Sequence, residues 1–214
     1  MTVKPLPDPL NTGAVRDRET TRKRLIRAVG TILAQKGFTG LGVNAVARAA
    51  GVDKVLIYRY FGGLSELTTA YGREGNFWPT IEELAGGDVE SFAQLPLDTK
   101  LKNLSRNFSR AIRQRPLTQE IMAWEMVERT QLTIELETIR ENTMLRFFEM
   151  FFPSLQNQLD LHAITAIIGA AISYLACRAR QIQWYNGVDL QAEEGWLRIE
   201  RAIDTIVNGL LGLT

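Results

Sequence analysis

One cysteine, Cys177, and one histidine, His162, occur in 214 residues. A lone thiol forms no internal disulfide, and the two residues are too few for a Cys/His metal cluster within one chain. No metal is expected, and no cofactor either. Proline is also sparse, with seven residues, three of them at Pro5, Pro7 and Pro9. Long alternating Val/Thr runs bounded by turn residues are missing, while Leu, Ile, Ala, Glu and Arg abound, which predicts an all-α fold. No apolar run of the signal-peptide kind opens the chain. The longest mostly apolar segment, Ala163 to Cys177, is broken by Thr165, Gly169 and Ser173 and is short for a bilayer. A cytoplasmic protein with no membrane partner is the expectation. Catalytic patterns are lacking too: no Ser or Cys nucleophile has an evident base beside it, and no Gly-rich phosphate loop follows a strand. The chain is not expected to be an enzyme.

The net charge of +1 conceals a division. Between Arg16 and Tyr60 ten basic residues stand against three acidic ones, a local balance of +7 that leaves −6 elsewhere. A basic end on an acidic body suits a polyanion held on one side only.

Within that basic end lies the stretch Gly42 to Phe61, GVNAVARAAGVDKVLIYRYF. Val43, Val46, Ala47 and Ala50 fall at i, i+3, i+4 and i+7 and define one face of a short helix. Gly51 supplies the left-handed stop, Val52 a shared apolar plug and Asp53 an N-cap for a second helix over Lys54–Phe61. Ile57 and Phe61 turn inward with Val52. Lys54, Val55, Tyr58, Arg59 and Tyr60 spread over the remaining basic and aromatic surface. Helix, glycine turn and short helix form a helix-turn-helix, whose second member enters the major groove. Lys54 and Val55 in its first turn sit nearest base edges, and the Tyr58 and Tyr60 hydroxyls reach phosphate.

From about Arg18 to Pro79 the chain resembles the DNA-binding domain of the tetracycline-repressor (TetR) family of transcriptional regulators, through the helix ending at Gly37-Phe38 and the segment AGVDKVLIYRYF. The resemblance implies that Asn44 and Arg48 on the first helix, and Lys54, Val55, Leu56, Tyr58 and Tyr60 on the second, face DNA. Three positions depart from the family pattern. Gly42 stands where a capping Ser or Thr is frequent, so its phosphate contact falls to backbone N–H. Leu56 replaces a small polar residue, and Leu64 a frequent lysine. Arg22, Arg24 or Arg59 is then expected to compensate.

The expected organisation is a flexible arm over 1–15, a DNA-binding domain over 16–79 with its motif at 42–61, and a helical ligand-binding and dimerisation domain over 80–214. The first helix should run from Asp17 to Lys36. A fourth, capped by Ser65 and reaching towards Trp78, should join head to body. In the body a long helix turns Leu132, Leu136, Ile139, Thr143, Phe147 and Met150 inward. Its aromatic and methionine side chains suggest an apolar pocket, with Trp78, Phe108, Met122, Trp124, Met126, Phe147, Tyr174 and Arg178 as candidate ligand-binding residues. A helix over Leu161–Trp184 carries a line of small residues, Ala163, Ala166, Ala170, Ser173 and Cys177, that would let another helix approach closely. The last helix, Asp189–Leu211, offers Trp196, Ile199, Ile203 and Val207. Two such helices from each of two chains would form a four-helix dimer interface, as the resemblance also implies; the alternative is burial of both within one chain. The functional expectation is a homodimeric repressor on a near-palindromic double-stranded DNA operator, released by a small apolar or amphipathic effector. The rival is a helical protein-interaction or ligand-binding module that keeps the head without reading DNA.

Overall fold

The structure, a computed structural model, describes residues 9–153 and 160–212, without the side chains of residues 9–16, 131 and 132. Eleven α-helices, a short 3-10 helix (Phe38–Gly40) and one two-stranded hairpin are the regular elements among the described residues, and the fold is all-α in character. Helix α1 (Pro9–Lys36) begins well before Asp17. Residues 9–15, assigned above to a flexible arm, are thus helical, and Pro9 fits because the first helical position needs no N–H donor. Residues 1–8 of that arm, and the side chain of Leu132, lie outside the described residues.

The head consists of α1, α2 (Val43–Ala50), α3 (Val55–Phe61) and α4 (Leu64–Glu74). Leu25, Val29, Leu33, Val46, Ile57, Leu67 and Tyr71 form its buried core, which is completed by Ile121 and Leu136 from the body. α4 follows Gly63 without a side-chain cap. Ser65 lies inside the helix, its hydroxyl 3.4 Å from a Glu135 carboxylate oxygen.

The body comprises α5 (Ile81–Leu84), α6 (Val89–Ala93), α7 (Leu97–Arg113), α8 (Pro116–Glu125), α9 (Gln131–Phe151), α10 (Leu161–Ala179) and α11 (Glu193–Leu210). α7 is the central element. Leu101, Leu104, Phe108 and Ile112 repeat at helical spacing along one face, and α5, α8, α10 and α11 all pack on it. In α9 Leu136, Phe147, Phe148 and Phe151 are buried, whereas Met150 is half exposed and does not belong to the inward stripe.

α10 stops at Ala179, short of Trp184, because an antiparallel hairpin intervenes: β1 (Trp184–Tyr185) pairs with β2 (Val188–Asp189). Its two-residue turn, Asn186-Gly187, has positive φ at both positions, 47° and 73°, the conformation such turns require. With 19 residues and a mean hydropathy of 1.5, α10 is long and apolar enough to cross a membrane by length and composition, unlike the shorter segment inferred from sequence. In the fold it packs along α7 and α8.

The inward face of α11 is formed by Trp196, Ile203 and Val207, with Ile199 partly buried beside them. The interface stripe proposed for this helix is therefore its own core stripe, and the Trp196 indole N–H donates to the Leu190 carbonyl at 2.8 Å. Periodicity locates an apolar face but does not say which body it packs against.

Candidate nucleic-acid interface and body cavity

The turn of the helix-turn-helix is closed by backbone chemistry. Gly51 is left-handed (φ 62°), the Val52 N–H donates to the Ala47 carbonyl at 3.0 Å, and the Gly51 N–H donates to the Arg48 carbonyl at 3.1 Å. This pair of bonds is the Schellman arrangement that glycine favours. Asp53 Oδ1 then accepts from the Val55 N–H at 2.8 Å and starts α3 one residue later than the sequence suggested, leaving Lys54 at its entry.

Two arginines of α1 hold this unit in place. Arg24 Nη2 donates to the carbonyls of Ala50 (2.6 Å) and Gly51 (3.2 Å), where a helix C-terminus gathers partial negative charge. Arg22 forks onto Glu74 of α4, and its guanidinium lies 5.2 Å from the Phe61 ring centroid. The hydrogen bond from Arg22 holds the Glu74 carboxyl below its ordinary range. Both arginines are engaged as internal clamps, which removes them as free substitutes for the missing phosphate contacts. Arg59 is exposed and makes no ion pair among the described residues.

Asn44 and Arg48 are exposed on α2, and Lys54, Val55, Tyr58 and Arg59 are exposed at and along α3. Val55 is 61% and Tyr58 55% accessible. Leu56 and Tyr60 depart from this pattern: both are half-buried against the head core, and Arg18 lies 5.4 Å from the Tyr60 ring centroid. Gly42 is the N-cap of α2, with extended backbone that any residue adopts, no side-chain cap and open space where a Cβ would stand. The first N–H groups of α2 have no acceptor within the helix and are available to an anion.

Between head and body, Arg115 is almost fully buried. It donates to the Asn76 carbonyl and side chain, to the Ala111 carbonyl and to Glu83 at 2.6 Å, fixing the segment that leaves α4. Trp78 follows, packed against both cores. Its ring lies 5.4 Å from Phe108, and the Arg140 guanidinium lies 5.7 Å from its centroid while pairing with Glu125. Burial pushes the Glu125 carboxyl up in spite of that partner. The α4–α9 contact is tight: a Cβ on Gly72 would stand 2.3 Å from Ile139 Cδ1, and Thr69 donates to Glu135 at 2.7 Å.

A cavity of about 460 Å³ lies among Trp78, α7, α9 and α10. Of the ligand residues expected from sequence, Trp78 and Phe108 line it. Met122 and Met126 border a separate hollow of about 300 Å³ beside Glu125 and Arg140. Trp124 packs against the head core, Phe147 is buried in the body core, and Tyr174 is exposed with its ring 5.8 Å from Tyr185. Arg178 is partly buried and does not line the cavity.

Leu104, Met144, Phe148 and His162 do line it and were missed by the sequence argument. The doublet Phe147-Phe148, with Met144 one turn earlier, carried the usable signal. The small line on α10, exposed at Ala163, Ala166 and Ala170, also borders this cavity in part. Ala163, Ala166, Ala170 and Ser173 form cavity wall, while the Cys177 thiol donates to the Gln119 carbonyl at 3.4 Å and burial pushes its pKa up to about 11.

Residues 25–71 match the family model of bacterial regulatory proteins of the tetR family. The whole chain is similar in fold to several solved structures. A TetR family transcription regulator from Marinobacter aquaeolei VT8 aligns at 18% identity over 91% of this chain and 97% of that one, with a TM-score of 0.61. The fatty acid degradation regulator FadR from Bacillus halodurans aligns at 16% over 87% and 97%, with a TM-score of 0.60. A TetR-like transcriptional regulator from Rhodococcus sp. RHA1 aligns at 18% over 97% and 100%, with a TM-score of 0.59. At these identities the likeness shows a shared fold. Among curated proteins none matches the sequence.

Proposed function

We propose, from a head that matches the model of bacterial regulatory proteins of the tetR family over residues 25–71, that the protein is a ligand-responsive transcriptional repressor acting as a homodimer in the cytoplasm. The observation that carries the DNA-binding role is the exposure of Asn44, Arg48, Lys54, Val55, Tyr58 and Arg59 together on the helix-turn-helix. Lys54 and Val55 read base edges, Tyr58 and Arg59 reach phosphate, and the α2 N-terminus holds a further phosphate through backbone N–H.

Dimerisation covers the apolar surface that the body leaves open. Ile167 (71% accessible) and Tyr174 on α10, with Ile206 (53%) and Leu210 on α11, are its centre. They lie on the two helices expected from sequence, beside the exposed Ala163, Ala166 and Ala170 of α10, and stand in for the buried Trp196, Ile203 and Val207 of α11. A twofold axis then sets two heads on a near-palindrome whose half-sites lie about 34 Å or a multiple apart. An apolar or amphipathic effector occupies the cavity behind Trp78 and favours a head spacing that no longer matches successive grooves. Operator and effector thereby oppose each other by about 1–3 kcal/mol.

Selection of bound fragments from random DNA by the purified full-length protein tests the reading. A salt-sensitive near-palindrome is expected. Recovery of no sequence above background would sink it and leave a helical module that does not read DNA.

A further inference from the structure

The cavity behind Trp78 is chemically lopsided. Glu141 is the acidic side chain in its wall, and among the described residues no Lys or Arg lines it. Glu141 is exposed and forms no ion pair among the described residues, so its charge faces whatever enters. Trp78, Phe108 and Phe148 present three aromatic rings to the same space, and the negative faces of such rings attract cations. His162, the other titratable group in the wall, has its ring 4.5 Å from that of Phe148. Outside Arg16–Tyr60 the chain carries a balance of −6, which adds a long-range field of the same sign. A buried anion, by contrast, would lose its hydration, and the Arg140 guanidinium beside Trp78 is already paired with Glu125.

We infer that the effector is an amphipathic organic cation, its aromatic or alicyclic body against Trp78, Phe108 and Phe148 and its positive centre facing Glu141. This rests on the cavity being the effector site. A partly exposed ion pair of this kind contributes about 1 kcal/mol, which is about fivefold in affinity.

Calorimetric titration of the full-length protein with three similarly shaped probes tests both levels. The probes are tetraphenylphosphonium, tetraphenylborate and uncharged triphenylphosphine oxide, at about pH 8. The phosphonium should bind tightest and the borate weakest. Glu141→Gln should weaken the phosphonium about fivefold and leave the oxide unchanged. Ala166→Phe, or Ala170→Leu as a second cavity-filling variant with an unaltered melting temperature, should block the phosphonium. Borate binding as tight as phosphonium, or a Glu141→Gln variant that binds phosphonium normally, overturns the assignment of charge. If all three probes bind alike and the filled variants exclude them, the cavity stands as the site and only the cationic class falls. Phosphonium binding that survives both filled variants, or absence of binding by every probe, overturns the site together with the class.

Discussion

Lys54, Val55 and Tyr58 stand on one exposed turn with no ion pair or hydrogen bond to their side chains among the described residues, so their removal should cost recognition and not folding. Lys54→Ala and Asn44→Ala should each weaken operator binding, by about 1–3 kcal/mol where the side chain contacts a base. Fluorescence anisotropy with the selected operator reads the change, and an unaltered melting curve separates it from damage to the fold. Gly42→Ser should act in the opposite direction. The space at Gly42 is open and the helix start lacks a side-chain cap. A serine there should add a few tenths of a kcal/mol to stability and supply a hydroxyl for phosphate. A weaker complex with Gly42→Ser would refute the placement of phosphate at the α2 N-terminus.

At the scale of elements, the α1–α4 clamp has a defined response to acid. The Glu74 carboxyl is lowered from an ordinary value of 4.5 by Arg22. The clamp therefore contributes stability above about pH 4.5 and loses it as pH falls through the depressed folded value. Melting temperatures of the protein and of Glu74→Gln should differ near neutrality and converge in acid. The α4–α9 contact responds to bulk instead. Gly72→Ala gains helix propensity of about 1 kcal/mol but drives a methyl into Ile139, and overpacking costs about 1–3 kcal/mol, so a net loss is expected by denaturant titration.

The two helices of the recognition unit were legible in the sequence to within one residue because local chemistry defines them: a 3–4 apolar pattern, Gly51 and the Asp53 cap. The hairpin was equally local, since Asn186-Gly187 is a strong turn signal, but the apolar run of α10 masked it. What sequence did not disclose depends on partners distant in the chain. Arg24 looks like any basic residue until its bond to Ala50 is seen, and the α10 alanines look alike whether they face a cavity or a second molecule.

For the whole molecule, the surface of α10 and α11 is the decisive region. Ile167→Glu and Ile206→Glu alter exposed positions, so each should leave the fold intact and convert dimer to monomer in sedimentation. An unchanged sedimentation coefficient for both would place the interface elsewhere. The head core also takes Ile121 from α8 and Leu136 from α9, two side chains that lie in sequence far beyond the four helices they complete. Grafting this head onto the trunk of another regulator would strand that core with two vacancies unless the host presents aliphatic groups at matching positions. Chimeras are thus limited to hosts whose trunks already fit the socket.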